Sequence, residues 1–267
     1  MLNTPTRERK YDELLVKIYA DNEIMGAAAA TAAQDAIQRA IAQKGKARVI
    51  LATGNSQLTT LQALSCKDVD WSKVHFFHMD EYIGIDPHHP ARFSNFLRRQ
   101  FFERLPSPPA AFHPVPLVSA TTDTEAIDAA CRNYEALLKD APIDLCLMGI
   151  GENGHLAFND PPFADFNDPV WVKAVALDEK SRQQQVKEGH FPSLDETPTH
   201  AITLTIPALL APKKLLVIVP EDRKAEAVKK ALYEPVHEAV PATILRRQPH
   251  AVLFLDRDAA SQLVEFA

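Results

Sequence analysis

The sequence predicts an α/β protein: a three-layer, open, mostly parallel sheet with helices on both faces. Two observations carry this expectation. Short apolar runs recur along the chain, of the length and aliphatic content of buried strands. Stretches of helix-forming composition stand between them, and that alternation makes a sheet covered on both faces. The length, 267 residues, suffices for one large domain with a substantial core. A single domain over 1–267 is therefore expected.

In chain order, residues 6–43 are rich in Ala, Glu, Lys and Gln and favour helix. Residues 1–22 are read as an N-terminal helical extension. The run at 47–52 (ARVILA) is short and β-branched, a buried strand. Residues 53–56 then turn into a helix reaching about residue 65. Residues 74–79 read as a strand ending in Asp80 and Glu81. Residues 93–105 and 124–140 read as helices, and 143–148 (IDLCLM) as the next strand. Two more apolar strands fall at 215–219 and 251–255, with a charged helix at about 223–232 between them. The proline clusters at 106–109 and 161–162 are loops rather than domain linkers.

Composition narrows the function. The formal net charge is -6, which gives no general attraction to nucleic acid or anionic membrane. An anionic small molecule would need a local cluster of donors. No apolar run approaches the ~20 residues of a membrane span. Met1 to Lys10 carry charge and no apolar stretch, so no signal peptide is expected. The three cysteines, Cys66, Cys131 and Cys146, have no CxxC spacing and an odd count. A reducing, cytoplasmic setting fits them better than a disulfide framework.

Active sites of open α/β sheets lie beyond the carboxyl ends of the strands. Three segments qualify. Thr53, Gly54, Asn55 and Ser56 follow a strand and open a helix, where backbone N–H groups and two hydroxyls can hold an anion. Taken alone, such a turn is more often an ordinary strand-to-helix connection with Ser56 as cap. Asp80 and Glu81 are adjacent acids at a strand end, suited to a general base but equally to a polar loop start. His78, inside that strand, reads as packed.

The richest segment is 149–161 (GIGENGHLAFNDP). Gly149, Gly151 and Gly154 match GxGxxG formally, but Pro161 and Pro162 block the long helix a dinucleotide site requires. The glycines are instead expected to form a tight loop presenting His155, with Asn153 and Asp160 able to orient it. A histidine held by a carboxylate shuttles protons near neutral pH. A structural histidine in a polar turn is an equally good reading of the spacing. The other histidines form no metal set: His88 and His89 sit in a loop, and no HExxH occurs. No GxSxG elbow marks a serine hydrolase.

Together, LATGNSQ at 51–57, HMDEYIGI at 78–85 and GIGENGHLAFNDP at 149–161 resemble, in order and spacing, the signature blocks of the glucosamine-6-phosphate deaminases. The stretch at 199–209 and Lys224 after a strand extend the likeness, which runs from about residue 23 to the C-terminus. The resemblance implies a sugar-phosphate isomerase and CoA-transferase-like, Rossmann-like fold. It implies that His155 moves a proton between ring and anomeric oxygens, with Asp160 holding it. Asp80 then takes the C2 proton and returns it at C1, and the resulting imine is hydrolysed to fructose 6-phosphate and ammonia. No metal or other cofactor is implied. The implied ligand is a hexosamine 6-phosphate, its phosphate on Thr53, Gly54, Asn55 and Ser56 with Lys224, and Glu81 is counted with the substrate-binding residues. Homo-oligomers are left open.

Three departures stand out. Family members usually carry Asp-Gly-His where Asn153, Gly154 and His155 stand, and Asn153 cannot be ionised. Asp160 replaces a usual Glu. The phosphate-binding basic residue beyond Arg182 falls on Lys187, which lacks the fork of an arginine. Residues 161–200 are expected to form a lid. Two alternatives remain: a 6-phosphogluconolactonase-like hydrolase, disfavoured because Tyr82 stands where that branch prefers Arg, and a non-catalytic sugar-phosphate sensor, kept alive by Asn153.

Overall fold

The structure, a computed structural model, describes residues 4–161 and 163–264. The first three residues of the expected N-terminal extension, Pro162 of the expected proline loop and the last three residues lie outside them.

In order, the elements are β1 (Arg7–Tyr11), β2 (Leu14–Tyr19), α1 (Asn22–Lys44), β3 (Ala47–Leu51), α2 (Leu58–Ser65), β4 (Val74–His78), β5 (Asp80–Tyr82), α3 (Phe93–Gln100) and β6 (Ala111–His113). There follow α4 (Thr124–Lys139), β7 (Leu145–Met148), β8 (Val172–Ala176), α5 (Glu179–Lys187), β9 (His200–Leu204), α6 (Ile206–Leu210), β10 (Leu215–Val219), α7 (Ala225–Tyr233) and β11 (Ala251–Asp256). Eight strands make one sheet in the order β1-β2-β11-β10-β7-β3-β4-β6. Among the described residues, the β1–β2 pair alone is antiparallel in this sheet.

The central strands bury both faces, and the period of two divides them. Val49, Leu51, Leu145, Leu147, Leu216 and Ile218 pack against α1, α2 and α3. Ile50, Cys146, Met148, Val217 and Val219 face the opposite layer, where α4, α6 and α7 supply Tyr134, Leu209 and Val228. The expected three-layer, mostly parallel arrangement is therefore present. The interior is tied by Arg48 of β3, whose guanidinium donates to the carbonyls of Leu137, Leu138 and Ala141 at the end of α4. Those carbonyls have no partner within the helix.

The N-terminal helix is a correction. Residues 7–19 form the β1–β2 hairpin, turned at Asp12 with φ 50°. Leu14, Val16 and Ile18 alternate inward, and β2 pairs in parallel with β11. Period-two burial at a sheet edge overrides the helical preference of the flanking polar residues. The helix begins only at Asn22, where Asp21 accepts a bond from the N–H of Ile24 (2.8 Å).

A second, three-stranded antiparallel sheet, β5-β9-β8, was not foreseen. It starts one residue after β4 ends, so the chain passes from one sheet to the other at Met79. That switch sets the direction of Asp80.

Candidate active site

Four neighbouring parallel strands, β10, β7, β3 and β4, end on the same side of the sheet. The segments after them enclose one cleft with about 620 Å³ of atom-free space, part of it open to solvent. It is the position expected from the strand ends. Thr53, Gly54, Asn55, Ser56, Asp80, His155 and Lys224 all line it.

After β3, the chain enters a 3-10 turn at residues 55–57 that runs into α2. Gly54 makes the turn with φ 95°, a conformation open to glycine and strained for other residues. The first N–H groups of such a helical start have no partner within it and face outward. Gln57 braces the turn, donating from Nε2 to the carbonyl of Ile218 (3.3 Å). After β10, a second short turn delivers Lys224, which is 2 % exposed. Burial lowers its pKa to about 8, and the charge of Arg223 beside it adds to that.

Asp80 is 6 % exposed and makes no side-chain hydrogen bond with any described residue. Burial, with the Glu81 carboxylate next to it, raises its pKa well above the usual carboxylate range. A carboxylate so placed is a strong base once ionised.

Glu81 is a correction. It points to the opposite side of β5, is 1 % exposed and does not line the cleft. Its carboxylate accepts from the N–H groups of Tyr82 (3.2 Å), Phe93 (3.0 Å) and Ser94 (3.1 Å), and Arg92 lies 3.5 Å away. It caps the start of α3. Alternation along the strand separates two acids that are adjacent in sequence.

The loop after β7 holds His155 by one edge. Nδ1 lies 2.7 Å from Asn153 Oδ1, 3.1 Å from Asp160 Oδ1 and 3.1 Å from Ser181 Oγ. Asn153 Nδ2 donates to Asp160 Oδ1 (2.8 Å), and Ser181 Oγ donates to the same oxygen (2.6 Å). Burial favours the protonated carboxyl of Asp160, but the bonds from His155, Asn153 and Ser181 outweigh it and hold the pKa below its usual value. An anionic Asp160 with Asn153 fixes the proton on Nδ1 and leaves Nε2, unbonded to any described residue, for the cleft. This accounts for the Asn153 departure. An aspartate there would bring two carboxylates to 2.8 Å, whereas the amide accepts from His155 and donates to Asp160. Among the described residues no helix follows the glycine loop until α5, so the GxGxxG match is not a dinucleotide turn. Gly151 serves the histidine: a Cβ there would meet the His155 ring at 2.1–2.4 Å.

Lys187 is the second correction. It lines a neighbouring pocket with Lys180, Ser181 and Lys230, not the cleft holding residues 53–56 and Lys224. Successive residues of α5 turn by about 100°, so Gln184, Gln185 and Glu188 reach the cleft while Lys187 turns aside. These three and Ser181 were missed in sequence. The unusual composition of residues 182–190 was the available signal. His78 is fully buried and accepts from the N–H of Val115 at Nε2 (2.8 Å). Burial takes its pKa down to about 3, so it is a neutral packed group, as read. Among the described residues, no three His, Cys, Asp or Glu side chains gather as a metal site, and no helix is long and apolar enough to cross a membrane.

Fold and cleft together define an open α/β protein in which an acid, a histidine and a lysine line one cleft beyond the strand ends. The chain belongs to the family described as glucosamine-6-phosphate isomerases/6-phosphogluconolactonase, whose model matches residues 20–254. It is 33% identical over 248 residues to a glucosamine-6-phosphate deaminase of Bacillus pumilus, covering 91% of this chain and 97% of the relative. It is 34% identical over 215 residues to that of Streptococcus thermophilus, covering 80% and 86%. Among solved structures, a monomeric glucosamine-6-phosphate deaminase superimposes with a TM-score of 0.82 at 30% identity, over 92% of this chain and 98% of that one. A 6-phosphogluconolactonase of Shewanella baltica gives 0.74 at 20% identity over 93% and 100%, a likeness of fold alone.

Proposed function

We propose that this chain is a glucosamine-6-phosphate deaminase-like enzyme, which opens the sugar ring, isomerises aldose to ketose and releases ammonia. The observation that carries it is convergence: Asp80 and His155, delivered by different strands, open onto one cleft that also holds the 53–56 turn and Lys224. The phosphate rests on the turn's N–H groups and hydroxyls and on Lys224. His155, its Nδ1 proton held by Asn153 and Asp160, passes a proton through Nε2 from the anomeric hydroxyl to the ring oxygen, and the ring opens. Asp80 takes the proton from C2, the C1 carbonyl becomes an enol as O1 takes a proton from the substrate's 2-ammonium group, and Asp80 returns its proton to C1. The resulting C2 imine takes up water and releases ammonia, leaving a ketose phosphate. The steps before hydrolysis are proton transfers of the kind positioned side chains perform.

The relatives named as deaminases support this reading over the lactonase one. So does Tyr82, which is packed among Phe93, Phe158 and Phe191 rather than offering a cation to the cleft. Helix α5 presents Gln184, Gln185 and Glu188 to the cleft, which supports a covering role for part of residues 161–200. The free thiols of Cys66, Cys131 and Cys146 support a reducing, cytoplasmic setting, and the names of the relatives support a place in amino-sugar breakdown. The test is ammonia release from glucosamine 6-phosphate by the purified protein, with hydrolysis of 6-phosphogluconolactone run beside it. Ammonia release lost in Asp80→Asn is the expected result. No ammonia from any hexosamine 6-phosphate would end the proposal.

A further inference from the structure

The anion-binding end of the cleft already contains an anion. Glu188, just past the end of α5, lines the cleft with its side chain 6% exposed. Its Oε2 approaches the phosphate turn, 4.0 Å from the point where a Cβ on Gly54 would lie. The carboxylate is built in. Oε1 accepts from Arg223 (2.6 Å) and from Gln184 Nε2 (2.8 Å), and His190 Nε2 stands 3.4 Å from Oε2. Burial favours its neutral form, but the His190 and Arg223 contacts outweigh that and hold the pKa at about 2, so the group is charged at any working pH. Among the described residues, the charged or titratable side chains lining the cleft are Asp80, His155, Glu188 and Lys224. Arg223 does not neutralise Glu188 outright, because Glu152 and Glu221 also pair with it and its single charge is shared among three carboxylates.

We propose that Glu188 is a specificity-determining residue for the substrate's tail: its carboxylate competes with the incoming anion for Lys224 and the N–H groups of the 53–56 turn. Like charges close together in a desolvated site oppose binding. A dianionic tail is therefore held weakly until Glu188 moves aside. A tail of lower charge, or one offering hydroxyl donors to the carboxylate, meets no such opposition. The inference rests on the reading of the turn and Lys224 as the tail-binding end, not on which reaction follows.

The experiment compares the full chain with Glu188→Gln, which keeps the bonds to Arg223 and Gln184 and removes the charge. Inorganic phosphate is titrated calorimetrically into each, and glucosamine 6-phosphate kinetics are measured beside it. At pH 6, where Lys224 keeps its charge with or without the neighbouring carboxylate, Glu188→Gln is expected to bind phosphate at least about tenfold tighter, a gain of roughly 1.4 kcal/mol. KM should fall by a similar factor, with kcat changed far less. Glucosamine, which lacks the tail, should gain nothing. Glu188→Asp, which withdraws the charge by one methylene, should fall between and serves if the glutamine variant fails to fold. Phosphate affinity unchanged or reduced in a folded variant overturns the proposal, as does no detectable phosphate binding by either protein. If the wild type releases no ammonia but the phosphate shift appears, the deaminase reading falls and the role of Glu188 stands.

Discussion

Gly151→Ala should disable the histidine while leaving the rest of the site intact. Gly151 is outside the left-handed region, so alanine meets no backbone strain there. The obstacle is the ring of His155. Its Cε1, Nε2 and Nδ1 atoms lie 2.1, 2.2 and 2.4 Å from the position of the new Cβ, where ordinary contact begins at 3.4 Å. The ring must retreat by at least about 1 Å, and a misplacement of that size costs on the order of a hundredfold in rate. That corresponds to roughly 2.7 kcal/mol of transition-state stabilisation. The retreat also disturbs the contacts of Nδ1 with Asn153 (2.7 Å) and Asp160 (3.1 Å). The assay is steady-state ammonia release from glucosamine 6-phosphate, with phosphate titration as the control for the far end of the cleft. About a hundredfold lower kcat/KM, with phosphate affinity within twofold, is expected. A variant that keeps kcat/KM within about threefold would refute the argument that His155 acts from this position.

Three further expectations follow from the same geometry. Asp80→Asn should lower kcat by about 10²–10⁴ yet raise the melting temperature at pH 7. The folded-state pKa of Asp80 is raised, so the folded chain binds this proton more tightly than the unfolded chain. Stability therefore falls as pH rises from the unfolded value through the folded one, and the full penalty is present above both. A melting temperature unchanged or lowered in Asp80→Asn at pH 7 would contradict that sign. Phosphate binding should weaken as pH rises through about 8, where Lys224 loses its charge, and Lys224→Met should flatten that dependence in calorimetric titrations across pH 7–9.5. Glu81→Ala should cost about 2 kcal/mol of stability in urea unfolding, through loss of the cap on α3, whereas a substrate-binding role would instead appear as a raised KM at unchanged stability.

Much of the lining of the candidate cleft could be read from residue order because the strands that deliver it are buried on both faces. Runs such as ARVIL and LLVIV identify themselves, and the rule that chemistry gathers beyond their carboxyl ends then picks out residues 53–56, Asp80 and His155. What stayed hidden depends on direction. Asp80 and Glu81 are equivalent as letters, but β5 turns one to the cleft and the other to the start of α3. Lys187 and Glu188 are neighbours on one chain, but the helical step sends the lysine to another pocket and the carboxylate to the cleft beside the 53–56 turn. The β1–β2 hairpin was hidden because its polar residues are good helix formers, and only pairing with β11, more than two hundred residues later, makes the alternation of Leu14, Val16 and Ile18 decisive. Ser181 was invisible because nothing local marks a hydroxyl that completes a contact 21 residues back in the chain, at Asp160.

The most direct measurement is a crystal structure with fructose 6-phosphate bound. The account predicts the phosphate on residues 53–56 and Lys224, C1 and C2 against the Asp80 carboxylate, and the oxygen-bearing side of the sugar toward His155 Nε2. A sugar phosphate lying instead among Lys180, Lys187 and Lys230, with Asp80 untouched, would contradict it.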